Sequence, residues 1–212
     1  MNDLLDVMER VRRAGEDARV ARADAQRLIR EARSLRVRLR SQVSDLARKD
    51  GYAQRHRDSF LMKVLIASMR ATCADRGNIQ IHDAASNQLM IQVQSGFEQP
   101  FLNYFSGVHS ERAVCGTAFR FHRRIVVEDV VASTIFDPLT LEVLLDARVR
   151  AVQSTPLLSG SGRIIGMLST HYEQPRALMQ KELRNLDSLA QTASTLIEWY
   201  LMWGVAKSQA FS

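Results

Sequence analysis

"RAVQSTPLLSGSGRIIGMLSTHY", Arg150 to Tyr172, decides the architecture. Two strand-like runs, "RAVQSTPLLS" and "RIIGMLSTHY", flank Gly160-Ser161-Gly162, whose glycines suit a tight turn. A hairpin here makes the local pairing antiparallel. Working outward, "GNIQIHD" (Gly77 to Asp83) places Ile79 and Ile81 in alternation with polar residues, the pattern of a half-buried strand. "AASN" then turns into "QLMIQVQS", where Leu89, Ile91 and Val93 share one face, so this segment is a second hairpin.

Between the hairpins, "EQPFLNYFSGV" has the spacing of a short amphipathic helix, with Phe101 and Phe105 four apart. "ERAVCGTAFRFHRRIVVEDV" (Glu111 to Val130) reads as a helix followed by a strand at Ile125 to Glu128. An irregular segment through Asp137-Pro138 leads to a helix at about Thr140 to Asp146. Helical periodicity resumes on both flanks. Phe60, Leu61, Val64, Leu65, Ser68 and Met69 recur before the first strand, and Leu183, Leu186, Ala190, Ala193, Ile197 and Tyr200 lie along one side of a helix from about Ala177 to Trp203. The order helix, hairpin, helices, strand, helix, hairpin, helix is an α+β layout around an antiparallel sheet.

At 212 residues, with 46% hydrophobic and 25% charged residues, the chain has room for one sizeable core plus an appendage. The net charge of +6 is confined to that appendage: residues 1–57 hold 15 Lys and Arg against 9 Asp and Glu, and the remainder holds 14 of each. No apolar run is long enough to span a bilayer, and "MNDLLDVMERVRR" lacks the basic start of a secretory signal, so a cytoplasmic protein is expected. Cys73 and Cys115, 42 positions apart, have neither zinc-site nor disulfide-framework spacing, and reduced thiols are expected.

The basic arm follows a seven-residue register. Leu4, Val11, Ala18, Ala25, Ala32, Leu39 and Leu46 occupy one core position, and Val7, Ala14, Ala21, Leu28 and Leu35 the other. Such a sustained repeat predicts a coiled-coil helix. Its alanine-rich middle buries little area per layer, so the arm alone is a weak dimer. Around "RKDGYAQRHRD", Gly51 and polar residues interrupt the pattern. The expected division is therefore an arm and junction over 1–57, a domain over 58–203 and a tail over 204–212.

Four separated strings, "GNIQIHD", "AVCGTAFRFHRRIVVEDV", "FDP" and "VRAVQSTPLLSGSGRIIGMLSTHY", fall in an order that resembles a GAF domain, the sensor and dimerisation module of bacterial and eukaryotic signalling proteins. The resemblance spans about Ser59 to Tyr200. It implies a central antiparallel sheet, a helical layer on one face from the first and last helices, and a ligand pocket on the other face. It also implies a homodimer whose helices pass a signal to a protein partner. The dimerisation candidates are Val11, Ala18, Ala25, Leu28, Ala32, Leu35 and Leu39 of the arm, with Leu186, Ala193, Ile197 and Tyr200 of the last helix. Trp199 and Trp203 join them as candidates for a partner surface.

On the pocket side the candidates are Phe101, Phe105, Cys115, Phe121, Phe136, Ser169 and His171, aromatic walls with a few polar groups being how small-molecule pockets are built. Cys115 has two readings, a small residue packed at the start of a helix or a thiol lining the pocket. The string "VCGTA" followed by "VEDV" also resembles the free methionine-(R)-sulfoxide reductases, GAF proteins whose attacking cysteine lies in the loop after this strand. Here that loop, Val131 to Gln153, has no cysteine, which removes the nucleophile the chemistry requires. His82, His122 and His171 show no metal-site spacing, so no metal is expected, and no cofactor is identified. Arg27, Arg30, Arg33, Arg36, Arg38 and Arg40 wrap around the arm without interleaved aromatics, the pattern of a solvated helix surface and not of a nucleic-acid site.

The sequence thus predicts a non-enzymatic signal-transduction module, a homodimeric sensor for an unidentified small molecule, without membrane contact. The alternatives are a structural dimerisation scaffold with a filled pocket, or a thiol redox sensor or sulfoxide-reductase-like enzyme.

Overall fold

The computed structural model describes residues 50–107 and 114–210, together with single helical positions at 12, 16, 19, 20, 23, 24, 27 and 30. The seam residues Val11, Ala18, Ala25, Leu28, Ala32, Leu35 and Leu39 lie outside the described residues, as does the side chain of Trp203. Within the arm, Arg12 pairs with Glu16 at 2.7 Å and Arg27 with Asp24 at 2.9 Å, and Asp24 also reaches Arg70 at 3.6 Å. No helix among the described residues is long and apolar enough to cross a membrane.

The chain runs α1 (Asp50–Thr72), β1 (Arg76–Asp83), β2 (Gln88–Ser95), α2 (Gln99–Gly107), α3 (Val114–Phe121), β3 (Ile125–Val127), α4 (Pro138–Asp146), β4 (Ala151–Leu158), β5 (Ile164–Tyr172) and α5 (Gln180–Ala210). One five-stranded sheet has the order β2-β1-β5-β4-β3, and every adjacent pair is antiparallel. Both expected hairpins are present. Asp83 closes the first turn by accepting from the amides of Ala85 and Ser86 and the Ser86 hydroxyl, and Gly162 takes φ +80° in the second. Asp137 accepts from the Thr140 amide at 2.8 Å and so caps α4, with Pro138 entering its first turn.

Two boundaries differ from the sequence reading. The described part of helix α1, Asp50–Thr72, already includes Gly51, so this glycine does not interrupt the helix; one glycine costs about 1 kcal/mol, too little to break a helix whose apolar side is buried further on. Helix α5 starts at Gln180 instead of Ala177, where Glu182 accepts from the Met179 amide and from Arg176, and it runs to Ala210.

The sheet separates two cores. On one face Leu61, Val64 and Leu65 of α1 and Leu186, Leu189, Ala193 and Ile197 of α5 pack on Ile79, Leu157 and Leu168. Leu186, Ala193 and Ile197 are 0%, 0% and 1% exposed, and Tyr200 is packed on the same cluster with its ring edge-on to Trp199. Leu186, Ala193 and Ile197 are thus spent inside the domain and are not free to meet a second chain, whereas Tyr200 is only partly buried. The apolar side of an amphipathic helix goes first to the nearest apolar surface, which here is the domain's own sheet. On the other face α2, α3 and α4 cover a second cluster that includes Leu89, Phe101, Phe105, Cys115, Ala118, Leu144 and Met167. The Tyr104 and Thr140 hydroxyls, 2.7 Å apart, tie α2 to α4 over it.

Candidate functional site

Strand alternation puts Asn78 and Gln80 of β1, Val152 and Ser154 of β4, and Ser169 and His171 of β5 on the face away from α1 and α5. Register then joins them. Asn78 is opposite Ser169, and Ser169 opposite Ser154, so three polar side chains form a row across three strands. The Ser154 and Ser169 hydroxyls lie 2.7 Å apart. β1 and β5 approach closely beside Gln80, where a Cβ on Gly166 would stand 2.2 Å from the Gln80 carbonyl oxygen, so glycine is required there.

Above this floor, Phe101 and Phe105 of α2, Val114 and Cys115 of α3, and Phe136 and Leu144 around α4 close a cavity. It gives the centre of a water molecule about 20 Å³ in which to move, enough for one water. Phe101 also lines an outer groove of about 450 Å³ with Arg76, Glu98, Val143, Asp146 and Arg148. Its ring is stacked on Phe97 at 3.7 Å and tilted against Phe105 at 4.4 Å, and both Phe97 and Phe101 stand nearly perpendicular to the His171 ring.

The electrostatics are those of an uncharged site. Burial, with the Arg76 charge acting in the same direction, pushes the His171 imidazole down to about 3, so the ring is neutral at pH 7. Burial pushes the Cys115 thiol up to about 11, outweighing the Gly116 and Cys115 amides and the Gln80 side chain that hydrogen-bond to it. At neutral pH the thiolate fraction is on the order of 10⁻⁴, so Cys115 is a poor nucleophile. Cys73 is exposed, and both cysteines are free.

Three of the lining residues are not satisfied. Asn78 Oδ1, Gln80 Oε1 and His171 Nδ1 are buried without a hydrogen-bond partner, on side chains that are 4%, 2% and 5% exposed. Orphaned groups of this kind are uncommon in native folds, because each carries an uncompensated desolvation penalty of about 1–3 kcal/mol.

Six of the seven pocket candidates therefore meet at one cavity: Phe101, Phe105, Cys115, Phe136, Ser169 and His171. Phe121 does not. It is 55% exposed, with the guanidinium groups of Arg120 and Arg123 5.7 and 5.6 Å from its ring centre. Six steps of about 100° carry it about 120° around α3 from Cys115, whereas Phe119, four residues on, returns to the inner side and packs on the second cluster. His82 bonds Asn87 at 3.0 Å and His122 is an exposed helix end with φ +53°; neither lines the cavity. Among the described residues no group of three His, Cys, Asp or Glu side chains is placed to hold a metal ion.

Sequence reading missed Asn78, Gln80 and Ser154. The signal was the alternation in "GNIQIHD" itself: with Ile79 facing the helices, Asn78 and Gln80 must face the pocket and not solvent.

A family model described as GAF domain matches residues 54–198. The chain belongs to the GAF domain family. Members of the family serve as sensor modules of signalling proteins. No curated protein matches the chain. Solved structures similar to this chain include the GAF domain from an Acinetobacter phosphoenolpyruvate-protein phosphotransferase, at 12% identity over 87% of this chain and 97% of that one, with a TM-score of 0.63. Another is the free methionine-R-sulfoxide reductase from Neisseria meningitidis in complex with its substrate, at 20% identity over 91% and 93%, TM-score 0.60. A third is the blue-light absorbing form of the Thermosynechococcus elongatus PixJ GAF domain, at 19% identity over 77% and 98%, TM-score 0.56. At these identities what is shared is the fold.

Proposed function

We propose that this GAF domain is a non-enzymatic signalling module: a homodimeric sensor that takes up a small molecule between the sheet and α2, α3 and α4, and passes the change to a protein partner through its terminal helices. The observation that carries the reading is the set of three buried, unpartnered polar atoms on Asn78, Gln80 and His171 at one cavity. A domain serving only as a scaffold gains nothing from them, whereas a ligand supplies their missing bonds.

The coupling route is short. Asn78 and Gln80 alternate along β1 with Ile79, which packs against α1 and α5, and Ser169 alternates with Leu168 in the same way. A ligand that prefers one position of β1 and β5 therefore biases the helix pair, to the extent of its differential affinity for the two arrangements. The heptad register of the arm supplies a coiled coil through which a dimer transmits that bias.

A second reading, the dimerisation scaffold, is favoured by the cavity's size, since one water would fill it as it stands. Native followed by denaturing mass spectrometry of the purified protein separates the two. Release of a small molecule from a dimer supports the sensor; a dimer with nothing to release and no response to added compounds supports the scaffold; a monomer removes the dimeric part of the proposal.

A further inference from the structure

We infer that the cavity takes a small, flat, uncharged molecule that offers N–H donors to Asn78 and Gln80, the chemistry of a carboxamide, urea or lactam. This rests on the sensor reading of the same cavity and specifies what the sensor reads.

The exclusion of charge comes from the lining. Asn78, Gln80, Cys115, Ser154, Ser169 and His171 supply its polar atoms, and none of its residues is Asp, Glu, Lys or Arg. Arg76 lies outside that lining, in the outer groove, where its Nη2 pairs with Glu173 at 2.8 Å and its buried Nη1 has no partner. The thiol and the imidazole are held in their neutral forms by burial. A cation entering here loses its hydration with no carboxylate in the lining to meet it, and an anion finds its nearest guanidinium, that of Arg76, in the outer groove and not among the cavity's own residues.

The donor requirement comes from which atoms are orphaned. Asn78 Oδ1 and Gln80 Oε1 are amide oxygens, which only accept. Gln80 Oε1 is buried with no partner and is the free end of that side chain. The two side chains rise from positions two residues apart on β1, about 6.7 Å along the strand, a span that one small ring or amide can bridge. The Ser154 and Ser169 pair uses one of its two hydroxyl hydrogens internally and keeps the other for a ligand carbonyl. His171 Nδ1 serves as donor or acceptor according to its tautomer. N–H donors beside a carbonyl are the pattern of an amide, and the rings of Phe101, Phe105 and Phe136 form walls against which a flat molecule packs. As it stands the cavity has room for one water; Phe101 lines both it and the outer groove, so the Phe101 ring must turn aside and join the two spaces before a ring-sized molecule enters.

Benzamide, benzoate and benzamidine share one ring and differ in the charge of the head, which makes them a direct test. Thermal denaturation and calorimetric titration with each at millimolar concentration are expected to show a raised melting temperature and heat of binding for benzamide alone. Asn78→Leu and Gln80→Leu should each weaken benzamide by about tenfold, while Phe121→Ala, outside the cavity, should leave it unchanged. Circular dichroism confirms that each variant is folded. A response to benzoate or benzamidine equal to that of benzamide, or no response to any of the three, overturns the inference. The two failures are separable: release of a charged molecule in the mass-spectrometric experiment overturns the neutral amide class and leaves the sensor reading standing.

Discussion

The two faces of the one sheet carry buried polar side chains in similar number and treat them differently. Toward α1 and α5, the Gln153 amide donates to Thr170 at 3.1 Å, Thr155 donates to the Gln153 oxygen at 2.8 Å, and the Thr170 and Tyr172 hydroxyls lie 2.8 Å apart. Arg124 closes the chain by donating to Thr155 at 2.9 Å and pairing with Asp187 on α5. Toward α2, α3 and α4, the Ser154 and Ser169 hydroxyls satisfy one another, while Asn78, Gln80 and His171 each keep an unpartnered atom. Since both faces belong to the same strands, backbone geometry does not account for the difference. On the helix face, Gln153, Thr155 and Thr170 of the strands are satisfied by the chain itself. The cavity face is left for something else, and such a departure from full satisfaction is expected at functional sites.

The sharpest test of the helix face as the structural one is Leu65→Ala. Leu65 is 0% exposed at the centre of that core, and its truncation is expected to lower unfolding free energy by about 2–5 kcal/mol in urea denaturation. A change under about 1 kcal/mol would mean that the helices do not hold the sheet as the packing implies.

Next in size is the response to acid. The folded-state pKa of His171, about 3, lies below the ordinary imidazole value of 6.5, so between those limits the unfolded chain binds a proton that the folded chain refuses. Stability is therefore expected to fall as pH drops below about 6.5, by up to about 1.4 kcal/mol per pH unit from this group, with no contribution above that. Carboxylates add slopes of their own, so the quantity to measure is the difference between the wild type and His171→Gln in urea denaturation at pH 7, 6 and 5. Parallel curves would show that His171 titrates normally and is not buried neutral.

The smallest effects bear most directly on the contrast between faces. Gln153→Leu leaves Thr170 and Thr155 without their amide partner and should cost about 1–3 kcal/mol, whereas Asn78→Leu removes an orphaned oxygen and should leave the ligand-free protein unchanged or about 1 kcal/mol more stable. Opposite signs sharpen the comparison. Equal losses in the two variants would mean that Asn78 is satisfied as fully as Gln153, as it is in a scaffold whose cavity holds a structural water.

Much of the architecture was legible because its causes are local. Glycines at 160 and 162, the alternation of Ile79 with Ile81, and the spacing of Phe101 and Phe105 are effects of turn chemistry and side-chain period, which a sequence displays directly. Phe121 was misplaced because aromatic character was read without the phase of α3, and Gly51 was read as a break because its low helix propensity was not weighed against the apolar side of α1 beyond it. Leu186, Ala193 and Ile197 were correctly seen as one apolar side, but periodicity does not say what that side meets.

The strands, the helices, their order and the antiparallel hairpins were thus determined by the sequence itself, because periodicity and turn residues act over a few neighbouring positions. Tertiary structure alone decided that the polar alternates of β1 are buried. Asn78 and Gln80 have the pattern of a solvent-facing row, and they become the floor of a cavity only because α2, α3 and α4, lying 19 or more positions further along the chain, close over them. Burial is a property of what packs on a face, and a strand's own residues do not encode its cover.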